Sequence, residues 1–119
     1  MAILGQNSFS WRWREMMKRK VARLLDRSRE IVRLGDIPNV GPAISADLRR
    51  LGIMSPAELL GRDPYSMYHD LCHITGQRHD PCLLDTFIAA VRFMEGEPKK
   101  SWWKYTAERK KVLAARRQG

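Results

Sequence analysis

Cys72, His73, His79 and Cys82 fall within the short stretch "LCHITGQRHDPC", and two thiols with two imidazoles form the donor set of a tetrahedral zinc site. Their spacing matches no common zinc finger, and the neighbouring Cys72 and His73 diverge if the segment is helical. They are candidate ligands only, and no metal or other cofactor is expected. "HDPC" also raises hydrolytic deamination. That chemistry needs a His-x-Glu proton shuttle and a Pro-Cys-x-x-Cys metal pair. Pro81-Cys82-Leu83-Leu84-Asp85 lacks the second cysteine, and no histidine in the chain is followed two residues later by glutamate. Asp63, Asp70, Asp80 and Asp85 offer carboxylates for a metal-dependent nuclease, yet Asp63 and Asp80 each precede a proline and read as helix caps. No glycine-rich phosphate loop with its lysine is present. The expectation is a protein that is not an enzyme.

Charge supplies the second candidate chemistry. The 119 residues carry a net charge of +9, unevenly placed. Residues 1–34 hold nine Lys/Arg against three acids, residues 35–98 five against nine, and residues 99–119 eight against one. A mildly acidic centre therefore sits between two basic arms, and basic arms suit polyanions. Arg12, Arg14, Lys18, Arg19, Lys99, Lys100, Lys104, Lys110 and Lys111 are the candidate phosphate contacts. Trp11 and Trp13 in one arm, and Trp102, Trp103 and Tyr105 in the other, could stack on unpaired bases. Docking a tail on the core is the commoner role of such aromatics and is expected for Trp102 and Trp103. Insertion of Trp11 and Trp13 at a membrane surface is not expected, because the stripe near them carries little bulky apolar surface.

The elements that must position these residues are helical. Met17, Val21, Leu24, Leu25, Ile31 and Val32 recur at helical steps, which predicts one long basic helix from about Ser10 to Leu34. Packing of this stripe on the protein's own core is expected, ahead of pairing with a second copy. "SPAELL", "DPYSMYHDLCHITG" and "DPCLLDTFIAAVRFMEG" each open on a capping residue followed by proline, and the last two close on glycine. They predict three helices, with Met67, Tyr68, Leu71 and Ile74 on one apolar face and Leu83, Leu84, Phe87, Ile88 and Val91 on another. A last basic helix from Ala107 to about Arg117, capped by Thr106, has a thin apolar face and is expected to fray without a partner. No segment alternates as a strand would.

"IPNVGPAISADLRRLGI", residues 37–53, connects the first of these elements to the rest. Pro38 ends the preceding segment, Asn39 and Gly41 permit a tight turn, Pro42 starts a helix and Gly52 stops it. Two helices joined by such a turn resemble the helix-hairpin-helix modules that bind DNA. The resemblance implies a phosphate seated on backbone N–H groups, here those of Asn39, Val40, Gly41, Ala43 and Ile44, with no base readout. Asn39 stands in place of that motif's first glycine, Ala43 in place of a common lysine, and Ser45 in place of a small alanine. With "AELLGRDPYSMYHDLC", "TGQRHDPCLLDTFIAAVRF" and "WWKYTAERK", the stretch is similar to the bacterial pathogenicity-locus family of small helix-hairpin-helix proteins, some labelled mitomycin-resistance proteins. The similarity spans about Leu34 to Lys110.

The expected molecule is thus all-α, a single compact helical domain built around a helix-hairpin-helix. Residues 1–34 form a basic amphipathic helix, 35–98 the core and 99–119 a basic C-terminal arm. Its expected role is sequence-independent nucleic-acid binding, to DNA foremost, as an accessory in repair or recombination. The alternative is a helical module for protein–protein contact or self-association as a homodimer, without DNA contact. Two cysteines make no disulfide framework and no apolar run approaches the ~20 residues of a membrane span, so a cytoplasmic location is expected.

Overall fold

Helix-start chemistry sets the architecture. The computed structural model describes residues 2–118, with side-chain environments over residues 11–117. Its five α-helices are α1 (Ala2–Glu30), α2 (Pro42–Arg50), α3 (Pro64–Thr75), α4 (Pro81–Met94) and α5 (Thr106–Gln118). Three single 3-10 turns connect them, at Leu34–Asp36, Pro56–Leu59 and Trp102–Tyr105. The described residues contain no strand. Proline opens α2, α3 and α4, where its missing N–H costs nothing. The Asp63 carboxylate caps α3 by accepting from Tyr65 N at 3.0 Å, and Asp80 caps α4 by accepting from Cys82 N at 2.8 Å. "SPAEL" makes a 3-10 turn rather than an α-helix, although Glu58 closes the expected box by accepting from Ser55 N at 2.6 Å.

α4 is the central element. Every residue from Leu83 to Val91 is buried, on all sides of the helix, so its neighbours must wrap it. One cluster gathers Phe87, Val91 and Met94 with Leu34, Ile37, Leu48, Ile53, Leu59, Met67 and Leu71. The other side of α4 meets Tyr105, Tyr65, Trp102 and Leu113. The C-terminal arm is therefore docked, as expected for Trp102, while Trp103 stays exposed and stands edge-on to it. The frayed last helix expected from its thin apolar face is not observed. The reason is electrostatic. Asp85, fully buried, accepts from Thr106 Oγ1 at 2.7 Å and from Arg109 Nε at 2.6 Å, which satisfies both carboxylate oxygens. Arg116 adds a second fastening, 3.2 Å from Asp63 Oδ2 and stacked over the Tyr65 ring.

α1 departs furthest from expectation. It ends at Glu30, and Ile31 to Arg33 lead into the 3-10 turn rather than continuing the helix. Among the residues whose side chains are described, it meets the globule at its C-terminal end. Arg27 Nη1 donates to the carbonyls of Phe93 (2.7 Å) and Glu97 (3.2 Å), and its guanidinium lies over the Phe93 ring at 3.8 Å. Gly96, whose φ of +100° calls for glycine, lies against Arg23: a Cβ there would sit 3.5 Å from that of Arg23, an ordinary contact. Before Arg23 the helix leaves the core. Met17 and Val21, expected to pack on it, are exposed, as are Trp11, Trp13, Met16 and Leu25. Val32 and Ile74, expected on buried stripes, are exposed too.

Candidate nucleic-acid interface

The residues of the hairpin divide into those that hold it and those that face out. Ile37, Val40, Leu48 and Ile53 are buried together with Leu34 beneath the turn. Asn39 takes the left-handed conformation, φ +71°, that the turn requires. Gly41 does not: its φ of −95° suits any residue, and a Cβ there would meet nothing within 4 Å. Neither backbone strain nor packing demands glycine at position 41, and the missing side chain leaves the α2 N-terminus bare.

Val40 leaves the expected set of donors. Its N–H donates to Ile37 O at 3.1 Å and its side chain is buried, so it anchors the turn and offers nothing outward. The N–H groups of Asn39, Gly41, Ala43 and Ile44 find no acceptor among the described residues. Asn39, Gly41, Pro42 and Ala43 are exposed around them. Those of Gly41, Ala43 and Ile44 are the orphan donors of a helix start and carry the positive end of the α2 dipole, while that of Asn39 belongs to the turn before it.

Two cations outside the expected set of phosphate contacts stand in a groove with one of these residues, Gly41. Arg33 and Arg49, both exposed, line an open groove with Gly35, Gly41, Pro42, Ser45 and Met54. Arg49 follows Pro42 and Ser45 at helical steps and so shares their face, a signal the sequence does contain. Arg33 reaches the groove through the 3-10 turn at Leu34–Asp36, where its own N–H donates to Asp36 Oδ2 at 3.1 Å. Asp36 lines the same groove, so the two guanidinium groups leave it with a net charge of +1.

The arm residues are distributed unequally. Asn39 Nδ2 donates to Lys100 O at 2.8 Å, which brings Lys99 and Lys100 to the hairpin. The Lys100 ammonium lies 3.9 Å from Glu97 and over the Tyr105 ring. Lys104, Lys110 and Lys111 are exposed on the last 3-10 turn and α5. Arg12, Arg14, Lys18 and Arg19 are exposed on the free part of α1, roughly 18 Å or more along the helix from Ile31 at 1.5 Å per residue. They extend the basic surface rather than join the hairpin.

The cysteine and histidine residues do not converge. The Cys72 thiol accepts from the His79 amide at 3.5 Å, His79 Nε2 lies 2.8 Å from Thr75 Oγ1, and Tyr68 OH donates to His79 O. His73 and Cys82 are exposed. The Asp80 carboxylate beside Cys82 raises that thiol's pKa, which disfavours the thiolate a metal needs. No group of three His, Cys, Asp or Glu residues converges on one point among the described residues. Of the four aspartates weighed for a nuclease, Asp63 and Asp80 are caps, Asp85 holds α5, and Asp70 lies exposed beside His69.

Comparison with known proteins gives one family and a named relative. Residues 27–111 match the family described as Cdd1, pathogenicity locus. The chain is 46% identical over 81 residues to the mitomycin resistance protein McrB of Streptomyces lavendulae, covering 68% of this chain and 77% of that protein. No solved structure matches. The family match begins at Arg27, the residue by which α1 grips the core.

Proposed function

The chain belongs to the Cdd1 pathogenicity-locus family, and from that premise we propose that it is a non-catalytic, sequence-independent nucleic-acid-binding protein. DNA is the expected ligand, and a role as an accessory in DNA repair or recombination follows from it. The observation that carries this reading is the set of unpartnered amides at Asn39, Gly41, Ala43 and Ile44, of which Gly41 shares an open groove with Arg33 and Arg49. A phosphate diester placed there would accept from the amides and meet two guanidinium groups. Lys99 and Lys100, held alongside by Asn39, would take the neighbouring phosphates. The two cysteines are free, and this reading places the protein in a reducing cytoplasm.

Fluorescence anisotropy with labelled duplex and single-stranded DNA tests the proposal. Engagement of six phosphates predicts a roughly thousandfold loss of affinity between about 50 and about 200 mM salt. Gly41→Val is expected to fold, because its backbone angles and surroundings accept a side chain. It would crowd the amides and weaken binding about tenfold, of the order of one lost charge-assisted contact. Unchanged binding by this variant would reduce the hairpin to a scaffold. Absence of binding to either DNA would favour the second reading, a helical interaction module.

A further inference from the structure

From Trp11 to Glu30, helix α1 carries eight Lys/Arg and three acids, and most of it touches nothing. At 3.6 residues per turn, Trp13, Met17, Val21 and Leu25 climb one side of the helix, with Met16 at the edge and Leu24 beside them. Trp13, Met17, Val21 and Leu25 line an open, almost wholly apolar groove. Glu15, Asp26 and Glu30 all fall on the opposite side. In the free part of the helix only Arg14 and Lys20 interrupt the apolar half, and both have stems long enough to carry their charge to its margins. The apolar sector spans about half the circumference, wider than the narrow seam of a two-stranded coiled coil. Two copies laid face to face would bring together two strongly cationic helices. A broad apolar face, free of acids and bordered by arginine and lysine, complements a flat anionic apolar interface. The helix is too polar to cross a membrane, since no described helix is long and apolar enough.

The sequence argues against a membrane role only while its apolar stripe is assigned to the core, which leaves little bulky apolar surface near Trp11 and Trp13. With Met16, Met17, Val21 and Leu25 bare along with Trp13, we infer that α1 lies in the surface of anionic lipid bilayers, with Trp13, Met17 and Val21 in the acyl boundary and the flanking cations among the headgroups. The acids point to water and the globule hangs from Arg27. The inference does not rest on the DNA reading: the hairpin takes no part in it, although the cations Arg12, Arg14, Lys18 and Arg19 of α1 serve both.

Co-sedimentation of the full chain with vesicles tests it. Vesicles of phosphatidylcholine containing about one third phosphatidylglycerol are compared with phosphatidylcholine alone; a few basic residues near an anionic surface predict partition at least tenfold stronger to the former. The triple variant Trp13→Ser, Met17→Ser, Val21→Ser should lose that partition while keeping its melting temperature, since none of the three touches the core. Trp13→Phe should retain it. Gly41→Val should pellet like the wild type, so failure here and failure of DNA binding are read separately. Equal partition to both vesicle types, no partition at all, or a triple-serine variant that pellets like the wild type would each overturn the inference. In those cases the helix face would belong to a protein partner.

Discussion

Asp85 illustrates how a single side chain can be read wrongly without its partner. In the sequence it is one of several carboxylates near two cysteines. In the fold it is fully buried, and its oxygens are taken by Thr106 and Arg109, more than twenty residues away. Removing one partner of such a pair leaves a buried charge uncompensated. Asp85→Ala should therefore lower the unfolding free energy by about 3 kcal/mol in urea denaturation. The caps act on a smaller scale and respond to pH. Partial burial opposes ionisation of Asp63, but the Tyr65 amide and Arg116 outweigh it and hold its pKa below the usual carboxylate value. The Cys82 amide does the same for Asp80. Because the folded pKa values are depressed, the caps contribute fully above the unfolded value of about 3.9, and the contribution is lost as pH falls through the folded values. Asn also caps but does not titrate there. The double variant Asp63→Asn, Asp80→Asn should thus show a shallower loss of stability than the wild type below about pH 4, measured by thermal denaturation across pH.

Among the elements, the legible ones were those whose signals are local. A cap, a proline and a terminal glycine act within one turn, so α3 and α4 could be placed from the sequence, and the hairpin likewise. The 3-10 turn at Pro56 shares the start signal of an α-helix but stops after four residues, and the start signal says nothing about length. α1 shows the limit of periodicity. An apolar stripe states which face wants cover, not where the cover comes from. Here the core supplies it only near Leu24, Arg27 and Ile31, leaving Trp13, Met17 and Val21 bare. The same limit hid Arg33, which meets Gly41 only once the Leu34 turn folds back beside α2, whereas Arg49 was legible from its helical spacing on α2 itself. Because the grip on the core begins at Arg23 and Arg27, a chain lacking residues 1–20 should melt within about 2 °C of the full protein, a shift no larger than that of surface changes. Differential scanning calorimetry checks this, and a large drop would mean the free part of α1 stabilises the fold.

The whole molecule is an all-helical globule with a rod attached. Its radius of gyration is 17.1 Å, and its extents are 59 × 39 × 24 Å. A compact chain of this length would have a radius of gyration near 13.5 Å. The difference is α1, whose 29 residues are roughly 43 Å long at 1.5 Å per residue. Charge is distributed over the same body plan, with the acidic centre in the globule and the cations on α1 and the C-terminal arm. Such a projection has a hydrodynamic cost: it drags on solvent out of proportion to its mass. On a sizing column the monomer should elute ahead of globular standards of 13.8 kDa and so imitate an oligomer. Light scattering, which weighs the particle without regard to its friction, should return the mass of one chain.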